Sequence, residues 1–488
     1  MNSLFLTVPI ALPILGGFWI LLHKFHDKNR MIFTETIAIL TSLCVFFAIF
    51  TVGTDPVTVY SFTNNFSITF KLDGLGRLFA GMVAVMWPLV LLYAFEYMHK
   101  AHRKNVFFAF YTMTYGVTLG VALSADIVTM YVFFEMLTLV TIPLVSHYET
   151  HDSLYAGRKY AGYTIGGASL SFMAVVLATV YGQSGSFIYG GSIGGDYNAT
   201  LMQIAFLLGF FGFGAKAAVF PLHDWLPTAS VAPTPVTALL HAVAVVNSGV
   251  FAVMRITWYV FGTDFLSGTT VQIICLVTAE FSLLFGAVKA LRERHFKRRL
   301  AYSTMSNLSY MLFGIMLMTP EGFVGGIAHM LFHGVIKMTL FLAAGAFMHV
   351  TGNSYIYEVN GVGKKMPVTF ICYTLGALSL TGIPLFCGFI SKWSLLTAGG
   401  NSGTPWGIAG VFCLIASAFL CAMYTLNVSI RAFFPVTGKD RYGKGDKTKE
   451  AGVLMLIPIV FFTIVNILFG LFPGIIMGLL EKIAGGVL

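Results

Sequence analysis

Charge is what this sequence has least of: Asp, Glu, Lys and Arg make up 10% of its 488 residues, while 57% are hydrophobic. A soluble domain carries about 25% charged residues, so a water-solvated globule is excluded, and a mean hydropathy of +0.82 places the chain in a bilayer. Cysteine is also scarce. Cys44, Cys275, Cys372, Cys387, Cys413 and Cys421 all lie within or beside apolar runs, without CxxC spacing. They read as packing residues, which excludes a disulfide framework and an iron–sulfur ligand set. The glycine-rich dinucleotide fingerprint and the haem-ligand patterns are missing, so no cofactor is expected and electron transfer is not a reaction this chain performs itself. A catalytic pair at the spacing of a membrane-embedded protease or acyl transferase is missing as well. No soluble domain interrupts the apolar runs. The longest polar stretches are 54–72, rich in Thr, Asn and Ser, the Gly-rich 183–199, and KDRYGKGDKTKE at 439–450.

What is present is a series of about fourteen apolar stretches, each near the ~20 residues a helix needs to cross the hydrocarbon. They fall at 3–22, 31–53, 74–97, 105–123, 125–147, 160–182, 201–222, 235–261, 268–291, 299–318, 322–350, 368–397, 406–430 and 452–478. The fold class expected is an all-α membrane protein. The first stretch is too long for a signal peptide and lacks a small-residue cleavage site, so it reads as a retained helix.

The net charge of +9 follows the membrane and is no footprint of nucleic-acid binding. Alternate connections carry the basic residues: Lys24, Lys28 and Arg30; Lys100, Arg103 and Lys104; Arg158 and Lys159; the run Arg292 to Arg299; Lys364 and Lys365; and Arg431 to Lys449. The other side has almost none beyond Lys71 and Lys482. By the positive-inside rule the dense side is cytoplasmic, which puts both termini outside. The seventh connection has neither Lys nor Arg and is silent on the count. Asp224, His223 and the run 292–294 read as solvated at the cytoplasmic surface.

Against this background, Glu135, Lys216, Lys337 and Lys392 sit inside apolar spans. An ionised group at membrane depth costs roughly 3 kcal/mol on insertion scales, so such residues imply ion or proton movement. The middle of the chain also looks duplicated. GFGAKAAVFPLHDWLP carries Lys216 and Pro221, and GIPLFCGFISKWSLL carries Pro384 and Lys392 at the corresponding place. Units of five spans make the second copy enter the membrane upside down, an inverted repeat with binding elements at broken helices. The division expected is 1–104, 105–262, 263–433 and 434–488. Pro221 lacks an N–H and clashes with the carbonyl four residues back, so the helix should open beside Lys216 and free a carbonyl for water or an amine.

GFGAKAAVFPLHDWLPTASVAPTPVTALLHAV, KRRLAYSTMSNLSYM, GGIAHMLFHGVIKMTLFLAAG and GIPLFCGFISK strongly resemble the antiporter-like, proton-translocating subunits. That family is shared by NADH:quinone oxidoreductase (complex I), energy-converting membrane-bound hydrogenases and multisubunit sodium/proton antiporters. The resemblance covers roughly residues 73–400 and implies fourteen helices, two inverted five-helix repeats and two half-channels joined by a polar axis. It also implies other membrane subunits as partners. The resemblance makes Glu135 the fifth-helix glutamate that pairs with Lys216, His241 a bridging histidine, His329, His333 and Lys337 a relay, and Lys392 the terminal lysine. Many members have a lysine where this chain has Asn247, so the bridge falls to His241 or to water. The last span lies close to the final residue, which leaves no room in this sequence for the lateral helix of the longest complex I members.

The residues support a relay on their own terms. His329, His333 and Lys337 are spaced i, i+4, i+8, one helix face at ~6 Å intervals, and histidine exchanges protons near neutral pH. A carboxylate that moves toward or away from a desolvated lysine changes its proton affinity. Competing readings are a structural Glu135–Lys216 ion pair, a packing role for His241 and a snorkelling Lys392. Two histidines four apart also suit zinc, but no third ligand follows on that face and HExxH is absent, so no metal is expected. Glu280, mid-span, is either a hydrogen-bonded carboxylic acid or an extra proton or cation ligand. Two functions follow: a proton-pumping subunit of a redox-driven complex, or a subunit of a multisubunit cation/proton antiporter moving Na+ against protons.

Overall fold

A computed structural model describes residues 2–63, 66–182, 186–435, 442 and 447–486. Most of the basic stretch 439–450 therefore lies outside the described residues. The chain folds as α1 Asn2–Leu22, α2 Asp27–Thr51, a β1 Val57–Thr63 and β2 Phe66–Phe70 hairpin, α3 Gly74–Tyr97, α4 Lys104–Ala122, α5 Ile127–Val145 and α6 His151–Tyr181. It continues with α7 Ala199–Gly214, α8 Trp225–Thr228, α9 Thr234–Ala242, α10 Val245–Arg255 and α11 Thr263–Leu266. Last come α12 Thr270–Arg292, α13 Phe296–Met316, α14 Pro320–Thr351, α15 Pro367–Thr381, α16 Cys387–Asn401, α17 Pro405–Phe433, α18 Val453–Leu471 and α19 Gly474–Ala484.

Helix is the expected answer where water is absent, because each backbone group then finds its partner inside the segment. Ten of these helical stretches are long and apolar enough to cross a membrane. Each remaining expected span also coincides with helix, but α4 and α13 carry more polar residues, while α7 and the α15–α16 pair are short because their spans are broken. The polar stretch 54–72 is not irregular loop but an antiparallel hairpin, pairing Val57 with Phe70 and Thr63 with Phe66. Its Val, Tyr, Thr and Phe content suits a pleated strand.

The connections sort onto two faces. On one, Lys104 Nζ reaches Asp27 at 2.7 Å, Arg103 pairs with Glu149, and Lys159 reaches Asp224 at 2.5 Å. Lys297 donates to Ala232 O at 2.7 Å and Gly361 N to Arg431 O at 3.0 Å on that face too. On the other, Ala125 N donates to Thr69 O at 3.0 Å, Phe187 N to Ala125 O at 2.8 Å and Gly190 N to Trp258 O at 2.9 Å. Tyr189 Oη ties Ala484 O to this second face. Odd connections meet odd, and even meet even. α4 therefore starts from one face and α12 from the other. The two series have parallel form: the third helix is the longest in each, 31 residues in α6 and 32 in α14, and a broken helix follows it.

The charge survey from sequence missed a buried pair. Arg255, at the end of α10, is wholly buried and grips Asp73 through Nη1 at 2.6 Å and Nη2 at 2.7 Å. Phe187, Phe251 and Tyr259 rings lie 4.7–4.9 Å from its guanidinium carbon. Asp73 also caps α3, accepting from Gly76 N at 2.9 Å. The bidentate geometry occupies both Asp73 oxygens and both Nη groups, leaving Arg255 Nε without a partner. The run from Arg292 to Arg299 is likewise not all at the surface: Lys297 and Arg299 are buried, and Arg299 donates to Tyr424 O at 3.0 Å.

Removing one partner of a buried ion pair leaves an uncompensated charge, at a cost of about 3–5 kcal/mol. Asp73→Asn should lower the unfolding free energy by that amount in a detergent titration, and adding Arg255→Met should recover most of the loss. An unchanged unfolding curve for Asp73→Asn contradicts this role.

Candidate functional site

Two helical spans, Thr234–Phe261 and α14, are enclosed by protein throughout an 18-residue stretch. A helix apolar all round and shielded from lipid belongs to the centre of a bundle, and both carry titratable side chains there.

α14 starts at Pro320, with Thr319 Oγ1 accepting from Gly322 N at 3.2 Å, and ends at Gly352, whose φ of 71° suits glycine. Its 3.6-residue turn stacks His329, His333 and Lys337 on one face, the two imidazole rings 6.0 Å apart. All three are buried. His329 bonds Ser391 Oγ at 2.9 Å and Asn307 Oδ1 at 3.2 Å. Neither ring nitrogen of His333 has a partner. Lys337 Nζ donates to Leu300 O at 3.0 Å and to Ser303 Oγ of α13.

Lys392 lies in α16 and does not snorkel. It is 6% exposed, and its Nζ donates to Leu380 O at 2.6 Å and Thr381 O at 3.2 Å. Those carbonyls end α15, which stops at Thr381. Pro384 lies in the gap before α16 begins at Cys387. An amine thus takes up carbonyls that the break releases.

The first broken span solves the same problem differently. α7 stops at Gly214, the chain turns irregularly through Ala215–Asp224 with Pro221 in the turn, and Lys216 sits at the start of that turn. Within the turn, the Ala215 carbonyl accepts from Trp225 Nε1 at 2.8 Å and from Ala218 N at 3.1 Å. Ser282 Oγ of α12 accepts from Phe220 N at 3.0 Å. Lys216 Nζ instead donates to Phe134 O of α5 and stands 3.6 Å over the Phe134 ring. Glu135 follows on α5. Its charge reaches Lys216, but no ion pair joins the two among the described residues. Glu135 is half-buried and its Oε1 accepts no hydrogen bond. The expected pairing is therefore a neighbourhood, not a closed contact.

A third break, not legible in the sequence, divides the eighth span. α9 ends at Ala242, Val243 has φ −140°, and α10 starts at Val245. His241 is the last titratable residue of α9, wholly buried, both ring nitrogens unpartnered, stacked 5.0 Å from Phe341. Asn247 satisfies the break, its Nδ2 donating to the released Ala242 carbonyl at 2.8 Å. Two glycines bring the neighbours close. A Cβ on Gly249 would lie 2.6 Å from Ala217 N, and one on Gly334 3.2 Å from Ala242 O. The broken eighth span is thus wedged between the Lys216 turn and the His333 turn of α14.

Further titratable groups inside the bundle escaped the sequence reading. Lys297 is 4% exposed in the first turn of α13; its place in a basic run made it look solvated. Glu35 of α2 is half-buried with Oε2 unpartnered, and Arg255 is described above. Glu280 is 7% exposed, with Oε1 unpartnered and its charge reaching Cys413 of α17. At the face where α12 meets α13, burial, then the charges of Lys297 and Arg298, pull the His295 imidazole down to about 4, so it stays neutral near pH 7. Among the described residues no group of three His, Cys, Asp or Glu side chains is placed to hold a metal ion.

Broken helices and a centrally buried helix carrying two histidines and a lysine define a class: multi-pass membrane proteins with ionisable groups in their interior. The family model described as NADH:quinone oxidoreductase/Mrp antiporter, TM, matches residues 124–430, more than half of the chain. The chain belongs to that family. A second model, for the N-terminus of chain 5 of NADH-ubiquinone oxidoreductase (complex I), matches residues 58–108. Among curated relatives, a Na(+)/H(+) antiporter subunit A1 of Staphylococcus aureus strain RF122 is 29% identical over 450 residues, which is 87% of this chain and 55% of the relative. A second S. aureus subunit A1 is 28% identical over 501 residues, covering 96% of this chain and 61% of the relative. The chain thus spans little more than half the length of these relatives.

Solved structures share the fold. A chain of the archaeal membrane-bound sulfane sulfur reductase matches with a TM-score of 0.86 at 23% identity, covering 100% of this chain and 98% of that one. A chain of the Mrp complex from Dietzia matches at 0.86 with 20% identity, covering 100% and 97%. A chain of respiratory complex I from Thermus thermophilus matches at 0.82 with 23% identity, covering 99% of each.

Losing the donor to a buried carbonyl costs about 1–3 kcal/mol. Asn247→Leu should therefore destabilise the protein by that amount in a detergent unfolding titration. Asn247→Lys, whose ammonium can replace the amide donor, should cost less. Equal stability of Asn247→Leu and the parent protein contradicts the assignment.

Proposed function

We propose that this chain moves protons across the cell membrane as the antiporter-like subunit of a redox-driven, multisubunit membrane complex of the complex I-like kind. Oxidation and reduction belong to other subunits. The path runs through Glu135, Lys216, His241, Lys337, His333, His329 and Lys392. Glu135 sets the proton affinity of Lys216 by its distance, His241 bridges the broken eighth span, and the α14 face passes the proton to Lys392, where the second helix break ends the line. Pro221 and Pro384 mark the two breaks. Residues 105–262 and 263–433 act as two half-channels of inverted repeats, flanked by 1–104 and 434–488. The observation that carries this reading is the burial of Lys216, His241, Lys337, His333, His329 and Lys392, none of them more than 6% exposed.

Charge reaches from group to group on that line: Lys337 acts on His241 and His333, and Lys392 on His329. The low dielectric there makes a small displacement of one charge count at the next. The face carrying Lys104, Lys159 and Lys297 is read as cytoplasmic by the positive-inside rule, which puts both termini on the outer side of a bacterial-type inner membrane.

A second reading, a subunit of a multisubunit Na+/proton antiporter driven by ion gradients, is favoured by the subunit A1 relatives. Proteoliposomes holding the whole complex separate the two: proton uptake that needs an electron donor supports the first, and uptake driven by a Na+ gradient alone supports the second. Lys216→Ala and Glu135→Ala should each abolish uptake while the complex still assembles. His241→Ala should do so too, since Asn247 offers no second titratable group. Wild-type uptake by Lys216→Ala would overturn the proton path itself.

A further inference from the structure

A groove of about 510 Å³ opens at the side of the bundle, between α2, α3, α14, α18 and α19. Its walls include Phe46 and Phe50 of α2, Met82 of α3, Val335 of α14, and Phe462 and Phe469 of α18. Among the described residues, Arg77, in the first turn of α3, is the only charged one lining it. Arg77 Nη2 donates to Val52 O at 2.9 Å, while its Nε is buried without a partner. No carboxylate forms an ion pair with it among the described residues.

An arginine at the edge of hydrocarbon with no counter-ion is costly. Its planar fork is matched by a phosphate, which accepts from two N–H groups at once. The size of the groove chooses the rest of the ligand. A membrane-spanning helix, about 30 Å long and about 10 Å across, displaces on the order of 2,000 Å³ and does not fit. A slender acyl chain does, and the apolar lining suits it. The site also lies on the face with few basic residues, where Arg77 and Lys71 stand out.

We propose that this groove binds one acyl chain of an anionic membrane phospholipid, whose phosphate pairs with Arg77. The position matters for the α14 relay. Leu331 and Val335 line the groove on either side of His333, and a Cβ on Gly334 would lie 3.3 Å from both Met82 Sδ and Met86 Cε, two further lining atoms. A lipid tail seated here packs against the layer that covers the histidine turn.

The test uses the assembled complex in nanodiscs of phosphatidylcholine doped with phosphatidylglycerol bearing a diazirine near its acyl terminus. After irradiation, labelled peptides are identified by mass spectrometry. Label should concentrate on 461–469 and fall about tenfold in Arg77→Gln. It should also fall in Val465→Trp, which fills the groove and leaves Arg77 intact, so the test survives if the arginine variant fails to fold. Diazirine-bearing phosphatidylcholine should label this segment far less. Equal labelling by the two lipids, label spread evenly over α1 and α17, or undiminished label in both variants overturns the proposal. Cross-links from the groove to a neighbouring subunit in place of lipid overturn it as well.

Discussion

Backbone polar groups released inside a membrane must find partners within the protein, and the arrangement of this chain follows from that constraint. Three spans are broken, at 215–224, at 243–244 and at 382–386. Lipid cannot satisfy the open carbonyls and amides of a broken helix, so breaks are tolerated only where protein encloses them. Each break here has its own supply of partners: Trp225 and Ser282 for the first, Asn247 for the second, Lys392 and Ser379 for the third. Lys392 sits beside the third break because an open carbonyl is what a buried ammonium can use.

The lysines illustrate two ways to keep a charge inside. Lys392 and Lys337 donate to main-chain carbonyls at the end of α15 and in α13. Lys216 takes a carbonyl and an aromatic face from Phe134, and the ring quadrupole stabilises the cation when water is excluded. None relies on a closed carboxylate pair. A proton-carrying amine held by neutral dipoles can lose its proton without stranding a buried counter-charge, whereas a tight ion pair would hold the proton in place. The Asp73–Arg255 pair, closed and bidentate, is the opposite case and serves to clamp α3 to α10.

Much of the architecture was legible in the sequence because the bilayer simplifies the code. Length and hydropathy give helices and alternating basic connections give the two faces; Pro221 and Pro384 mark two of the breaks, whereas Pro9, Pro13, Pro88, Pro143 and Pro458 lie inside continuous helices. The buried lysines Lys216, Lys337 and Lys392 were legible as intramembrane charges for the same reason, since charge stands out against hydrocarbon. Lys297 was not, because it sits in a basic run, and a run of like charges at a span end reads as solvated surface whether or not single members turn inward. The helix break at Val243 carries no proline or glycine, so nothing local announced it; packing against Gly334 and the Lys216 turn decides it.

The sequence by itself determined that the chain crosses a membrane many times, that its basic residues separate the two faces, and that one helix face aligns His329, His333 and Lys337. Those properties are local, set by periodicity and by transfer free energy. Only the tertiary structure decided that Glu135 and Lys216 stand near each other without touching, that Lys392 turns inward, that Asn247 caps a break, and that Arg255 finds Asp73 across 182 residues of chain. Such contacts depend on which distant surfaces meet, and helical periodicity says which face of a helix is buried but not what it is buried against.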